Sequence, residues 1–470
     1  MKYISTRGSS PPVSFLDAVL AGLAPDGGLY APEQWPTTLD RDDFRRSVGA
    51  SHFSYGAVTA LKAFAGDDLE WDEAAPLTNE AYGRAAWPTT VTPLVHIGPG
   101  EWVLELFHGP SLSFKDVAMQ LIGPLYDLAL TKRNRRLSVL CATSGDTGGA
   151  AVEALKNRER IDLFVLMPKG RVSDVQRLFM TASGASNVHA IEIDGDFDAC
   201  QAIVKGLFAD REFTNRAQLS AVNSINWARI VAQSVYFHIA ANALSGSGPV
   251  NFAVPTGNFG DAYSGYVAKK MGAPIGKILL ATNANDILTR TLATGRYERA
   301  PQSFATLSPA MDIQVSSNFE RALFEAIARD GGAVKRHYDQ FVQSGGFDVP
   351  PPALRALREN FAAAAVSDDE TLLAMRNKFD DGRGYLACPH TSVALQALTK
   401  LEAPMPAPVV TLATAHPAKF PDTIKDGVGM RPHLPAKCAD LLDRLEKVEA
   451  MANNLAAVKE FVRTRSRAWA

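Results

Sequence analysis

The chain has 470 residues, 46% hydrophobic and 21% charged, with 48 Lys plus Arg against 50 Asp plus Glu and a formal net charge of −2. That composition excludes disordered and fibrous classes and fits a globular protein long enough for two or three domains. With no strong field of one sign and no run near the roughly 20 apolar residues that span a bilayer, neither nucleic acid nor a membrane is the expected partner.

The opening MKYISTRGSSPPVSF holds no apolar run suited to a secretory leader, and Cys141, Cys200, Cys388 and Cys438 form no CxxC pair. A reducing, cytoplasmic setting is therefore expected. Residues 1–95 read as a small leading domain, with a helical run at 13–23 followed by the turn-rich Ala24-Pro25-Asp26-Gly27-Gly28. From Val103 onward, short apolar runs alternate with glycine-bearing turns and amphipathic helices. Residues 137–142 lead into 143–149 and the helix AAVEALKN, and 250–254 lead into 255–260 and the helix DAYSGYVAKKMG. Residues 162–167, 188–193 and 409–413 read as further buried strands. This alternation predicts an α/β architecture with largely parallel sheets. The basic run 132–136 lacks aromatic interleaving and reads as a solvated connection. Residues 441–470 read as one or two charged terminal helices.

The most informative segment runs from Val103 to Asp116 and contains HGPSLSFKD. A strand ends at Gly109-Pro110 and a helix begins near Ser113, which with Asp116 has the S-x-x-D spacing of an N-terminal cap. Val117, Leu121, Ile122, Leu125 and Ala129 recur at helical spacing, and Pro124 predicts a kink. Lys115 thus falls in the first turn, where the helix end carries partial positive charge and disfavours an ammonium. Either Lys115 extends into water or pairs with Asp116, or its amine is kept uncharged and available to attack an aldehyde.

Three strand-to-helix turns have the chemistry to hold an anion or a ring. In PTGNFGD, Gly257, Asn258, Phe259 and Gly260 can turn backbone N–H groups toward a phosphate, and the missing P-loop Lys argues against a nucleotide triphosphate. In ATSGDTGG, the three hydroxyls of Thr143, Ser144 and Thr147 and the backbone N–H groups of a glycine-rich turn suit a carboxylate or phosphate, or else Ser144 or Thr147 caps a structural turn. Thr414 closes a late strand, where its hydroxyl either meets a pyridine nitrogen or bonds backbone. In MDIQVSSNFER, Ser316, Ser317, Asn318 and Arg321 present either a phosphate site, with Arg321 bidentate, or an N-capped surface helix. His416 reads as a structural, hydrogen-bonded histidine, and no spacing suggests a metal.

Taken together, YISTRG, GLAPDGGLYAPE, HGPSLSFKD, SGDTGG, PTGNFGD, MDIQVSSNFER and TAHPAKFP, in this order along nearly the whole chain, resemble the threonine synthases, members of the tryptophan-synthase β-type group of pyridoxal-phosphate enzymes. The resemblance implies fold type II: two open, twisted, mostly parallel α/β lobes intertwined over residues 96–470, with a small N-terminal domain. It implies pyridoxal 5′-phosphate as cofactor and Lys115 as its Schiff-base lysine. Gly257, Asn258, Phe259 and Gly260 would hold the phosphate and Thr414 the pyridine nitrogen, with Ser144, Asp146, Thr147, Ser317, Asn318 and Arg321 on the substrate side. Two positions depart from the pattern: Cys388 before Pro389-His390 replaces an acidic residue, and Val117 an aromatic. The implied reaction turns O-phospho-L-homoserine and water into L-threonine and phosphate, in a monomer or small homo-oligomer. A threonine or serine dehydratase shares the lysine and the glycine loops, a non-catalytic relative could retain them, and a serine hydrolase centred on Ser144 is the reading from another class.

Overall fold

The computed structural model describes residues 1–36, 39 and 53–469. Three strands, β1 (Lys2–Ser5), β2 (Val13–Ser14) and β3 (Tyr30–Pro32), form an antiparallel sheet in the order β2-β1-β3. The next two, β4 (Leu94–Gly98) and β5 (Glu101–Glu105), are antiparallel neighbours at the edge of a six-stranded sheet. A five-stranded sheet takes in β6 (Leu137–Ala142), β7 (Ile161–Pro168), β8 (Val188–Asp194) and β9 (Leu219–Ala221). The chain then returns to the larger sheet with β10 (Val250–Pro255) and β11 (Ile275–Thr282). After a short antiparallel ribbon of β12 (Arg296–Glu298) and β13 (Gly346–Asp348), it adds β14 (Phe361–Ala365) and β15 (Val409–Ala413). A last strand, β16 (Glu449–Ala452), goes back to the smaller sheet.

The orders are β14-β11-β10-β15-β5-β4 and β16-β8-β7-β6-β9. Apart from the β4–β5 hairpin, the pairs within these two sheets are parallel. Helices cover both faces of such sheets, and β7 and β10 are accordingly buried at every residue. The helix Trp227–Leu244 carries apolar residues all round and is buried along most of its length, packed against the helices Lys115–Lys132, Gly260–Lys270 and Phe53–Ala65. The mostly parallel α/β reading therefore holds. Among the described residues, no helix is long and apolar enough to cross a membrane. The boundary expected at residue 95 falls inside β4, and residues 37, 38 and 40–52 of the leading span lie outside the described residues.

Two local readings change. The helix over the lysine starts at Lys115, and Phe114 at its N-cap supplies no side-chain bond. Asp116 instead folds back to accept from Ser111 N (2.8 Å), Ser111 Oγ (2.7 Å) and Ser113 N (3.3 Å), which secures the preceding loop. At the far end, the terminal segment is not all helix: β16 pairs in parallel with β8 before the helix Leu455–Arg465. The strand Glu-Ala-Met-Ala is a short edge with little apolar alternation, so its sequence carries almost no strand signal. The helix that follows buries Val458 and Val462 against Phe164, Ile203 and Leu207.

The leading unit is fastened by two adjacent residues of the helix Phe319–Ala326. Glu320 accepts from Thr6 Oγ1 (2.6 Å), Arg7 Nε (3.1 Å) and Arg7 Nη2 (2.9 Å). Arg321, fully buried, donates from Nε (2.9 Å) and Nη2 (2.8 Å) to the Tyr30 carbonyl and from Nη2 to the Ile225 carbonyl (2.6 Å). Its Nη1 meets Asn318 Oδ1 at 2.5 Å, and its plane lies over Trp227. The expected bidentate fork toward a substrate phosphate is therefore corrected: protein acceptors occupy the guanidinium on three sides.

Replacing Arg321 by Met would leave the Tyr30 and Ile225 carbonyls buried without donors, at a cost of about 2–4 kcal/mol. The expected result is a lower urea midpoint and faster proteolysis within the first 36 residues; an unaltered midpoint would refute the clamp.

Candidate active site

Parallel pairing carries the loops after β5, β15 and β10 to one edge of the large sheet, in that lateral order. The chain ends of β5 and β15 are laced together: Leu106 N donates to Ala413 O (3.0 Å), Phe114 N to Thr414 O (2.8 Å) and His416 N to Leu112 O (3.0 Å). The loop after β6 faces them from the smaller sheet. Ligands of open α/β sheets collect at such a carboxyl-end crevice.

Lys115 opens its helix with only 9% of its surface exposed. Burial pushes its amine below the ordinary lysine range; Asp146 opposes this, while Arg229 and Lys419 add to it. Its Nζ lies 3.5 Å from Asp146 Oδ2, and Asp116 is engaged elsewhere, so neither the solvent-exposed reading nor pairing with Asp116 holds. Asp146 begins the helix Asp146–Leu155 and is itself buried. Burial alone would raise its carboxyl, but Lys419 and Lys115 hold it well below the usual carboxylate range.

The loop carrying Asp146 is shaped by Thr143, whose Oγ1 accepts from Gly145 N (2.9 Å) and Gly148 N (3.0 Å). Thr143, and not Ser144 or Thr147, therefore fixes the turn. Ser144 and Thr147 remain partly exposed at its rim. Gly145 has φ 137°, and a Cβ there would come within 2.6 Å of the Gln176 side chain, which bonds Asp146 Oδ1 at 2.8 Å. No histidine is hydrogen-bonded to Ser144 among the described residues, and this removes the support for a serine hydrolase.

At the end of β10, Phe259 adopts φ 62°, a left-handed conformation uncommon for a residue with a side chain. Its ring is held against Phe319 and Phe361. This kink lets residues 257–260 lead into the helix Gly260–Lys270, and no protein acceptor takes their N–H groups among the described residues. Bare N–H groups at a helix N-terminus suit a phosphate. The loop is braced from behind by Ser316 Oγ on Gly257 O (2.7 Å), Asn318 N on Asn258 O (3.0 Å) and Ser317 Oγ on Asn258 Oδ1 (3.4 Å). Asn318 also donates to Ser224 O (3.1 Å) and is fully buried, so it holds the loop and does not face the crevice as a substrate donor. Thr414, between the other two elements, is buried, and its hydroxyl has no hydrogen-bonding partner among the described residues.

This arrangement fits pyridoxal phosphate. A buried amine whose ammonium form is disfavoured by burial, a hydroxyl and a set of orphan N–H donors lie side by side along β5, β15 and β10, matching an aldehyde, a ring and an anionic tail. Several groups were not singled out from the sequence. Lys419 is 0% exposed and bonds Asp146 Oδ1 at 2.7 Å; it follows His416, whose Nδ1 accepts from Ala418 N (3.2 Å), in keeping with a structural role for that histidine. Arg229 and Asp261 are buried near Lys115, and a lone charge in the apolar run WARIVAQSVYF was a readable signal for the first. His390 Nε2 accepts from Ala310 N (3.2 Å), and burial pushes its ring down to about 4, so it stays neutral. Cys388 Sγ lies 3.2 Å from Thr391 Oγ1, a local contact at the start of the helix Pro389–Thr399. No group of His, Cys, Asp and Glu suited to a metal occurs among the described residues.

Comparison with known proteins agrees with this geometry. Residues 2–82 match the family described as threonine synthase N terminus, residues 88–344 that of pyridoxal-phosphate dependent enzymes, and residues 391–462 that of threonine synthase, C-terminal. A threonine synthase of Pseudomonas aeruginosa is 44% identical over 464 residues, covering 98% of each chain. The crystal structure of a PLP-bound threonine synthase from Brucella melitensis superposes with a TM-score of 0.94 at 48% identity, covering 99% of this chain and 100% of that one. The yeast threonine synthase structure does so at 0.90 and 35% identity, covering 99% and 98%. With its leading, central and terminal parts all matched, the chain belongs to the threonine synthase family of pyridoxal-phosphate-dependent enzymes.

Proposed function

We propose that the protein converts O-phospho-L-homoserine and water into L-threonine and phosphate, as a lyase acting on a carbon–oxygen bond to phosphate. The observation that carries this reading is the buried Lys115 amine, set in line with Thr414 and the unpartnered N–H groups of residues 257–260. Lys115 would bear the cofactor, Gly257, Asn258, Phe259 and Gly260 its phosphate, and Thr414 its ring nitrogen. When bound, pyridoxal phosphate supplies an aldehyde that condenses with an amine and a ring that spreads the charge left by deprotonation.

Lys115 Nζ is the group placed to move protons. It takes the proton from the substrate Cα; a second proton leaves Cβ, phosphate departs from Cγ, a proton returns to Cγ, hydroxide from water joins Cβ, and a proton returns to Cα to complete L-threonine. One tethered amine serves these neighbouring atoms well because it is already in place for each. Asp146 receives the ammonium that Lys115 becomes, at the 3.5 Å separation found here. Ser144, Thr147 and Ser317, partly exposed on the loops around the crevice, are the proposed donors to the substrate's carboxylate and phosphate. Asn318 and Arg321 act one step removed, by bracing the phosphate loop and the leading unit.

Incubation of the loaded enzyme with O-phospho-L-homoserine should release phosphate and L-threonine in equal amounts; ammonia without phosphate would point to a dehydratase instead. Lys115→Ala should abolish the borohydride-fixed cofactor adduct seen by mass spectrometry and lower turnover by roughly three orders of magnitude or more. Thr414→Val should retain the adduct but weaken cofactor affinity about 3- to 10-fold, the worth of one hydrogen bond, as read by titrating the apoprotein with pyridoxal phosphate. An unaltered affinity would remove Thr414 from the site.

A further inference from the structure

Asp146 is a buried carboxylate gripped from two sides, and the grips are unequal. Lys419 Nζ lies 2.7 Å from Oδ1, whereas Lys115 Nζ stands 3.5 Å from Oδ2. Gln176 Nε2 adds a second bond to Oδ1 at 2.8 Å. Lys419 also donates to Ser111 O at 2.8 Å, so one fully buried ammonium ties the loop before Lys115 to the loop that carries Asp146. Its own carbonyl is held by Ser173 Oγ at 2.9 Å.

A lysine paired alone with a carboxylate in a water-poor site is favoured as the ammonium. An ammonium has no lone pair, so it neither attacks an aldehyde nor accepts a proton from a substrate. The reaction nevertheless needs a carboxylate nearby once Lys115 has taken a proton. A carboxylate whose charge is already matched by another cation meets both requirements: it attracts Lys115 weakly and still receives it.

We propose that Lys419 is a positioning residue of the reaction: by occupying Oδ1 of Asp146 it prevents Lys115 from being locked as an ammonium. The assignment rests on the role of Lys115 argued above. Other groups face the same amine. Asp261, whose Oδ1 accepts from the Tyr236 hydroxyl, is pushed up by burial to about 7; Arg229 is a buried guanidinium whose Nε has no hydrogen-bond partner among the described residues. His390 and Cys141, the latter pushed up by burial to about 12, are both neutral. Among the described residues, Asp146 is the hydrogen-bonding partner of Lys115 Nζ, so the balance is set there.

The test uses the full chain stripped of cofactor. Acetylation of Lys115 by acetic anhydride across a pH series, read on its peptide by mass spectrometry, gives the midpoint at which the amine becomes free. Lys419→Gln keeps a neutral donor toward Asp146 and Ser111, and its midpoint should rise by about one pH unit; Asp146→Asn should lower it by a similar amount. Lys419→Arg should return the wild-type midpoint, and Gln176→Leu, which removes a neutral contact from the same oxygen, should leave it in place. An unmoved midpoint in Lys419→Gln, or an equal rise in Gln176→Leu, overturns the proposal. Should Lys419→Gln fail to fold by circular dichroism, Asp146→Asn decides, since a midpoint that stays or rises there refutes the charge coupling. Failure of the wild type to release phosphate from O-phospho-L-homoserine would sink the reaction assigned above while leaving these midpoints to judge Lys419.

Discussion

A lysine amine works as a nucleophile and base only while it lacks a proton, and water favours the protonated form. The site is organised around that conflict. Placing Lys115 at a helix entrance, under cover and beside Arg229 and Lys419, removes the solvent that would stabilise the charge and adds two cations that oppose it. Asp146 then supplies a limited counterweight. Burial, helix polarity and neighbouring cations all act in one direction, and a single shared carboxylate acts in the other.

The rest of the fold keeps that balance in register. Because β15 lies between β5 and β10, the residues that end these strands are fixed laterally by sheet hydrogen bonds, and no flexible connection has to position them. Phe259 holds a strained backbone angle by aromatic packing and thereby turns main-chain donors outward. Behind it, Asn318 and Arg321 transmit the position of the leading unit to the loop after β10 through Tyr30, Ile225 and Asn258. Residues that look like substrate donors in sequence can thus serve as the frame for donors that have no side-chain signature at all.

What could be read from the sequence follows this division. Strands buried on both faces, such as β7 and β10, are continuous apolar runs and declare themselves, as do glycine turns at their ends. Lys115 stood out because a cation in a first helical turn is electrostatically misplaced. Arg321 misled because a guanidinium beside Ser, Ser and Asn resembles an anion site, and the carbonyl of Tyr30, 291 residues earlier, is invisible in the local pattern. Lys419 was missed for the same reason: three residues past a histidine it reads as a surface lysine, and only tertiary packing brings it 2.7 Å from Asp146. Edge strand β16 gave no alternation to detect, since its exposed residues bury little.

The wiring of the first residues has a consequence for how the chain is made. Thr6 finds its acceptor in Glu320, 314 residues later, and β16, the last strand, completes a sheet begun before residue 140. A ribosome releases β1 long before the helix that fastens it exists, so the leading segment must wait, loosely associated, through most of translation. Contacts of such sequence separation are closed late and slowly. The crevice among Lys115, Asp146, residues 257–260 and Thr414 likewise draws on segments about 300 residues apart, so it takes shape only after the strand ending at Ala413 has joined the sheet.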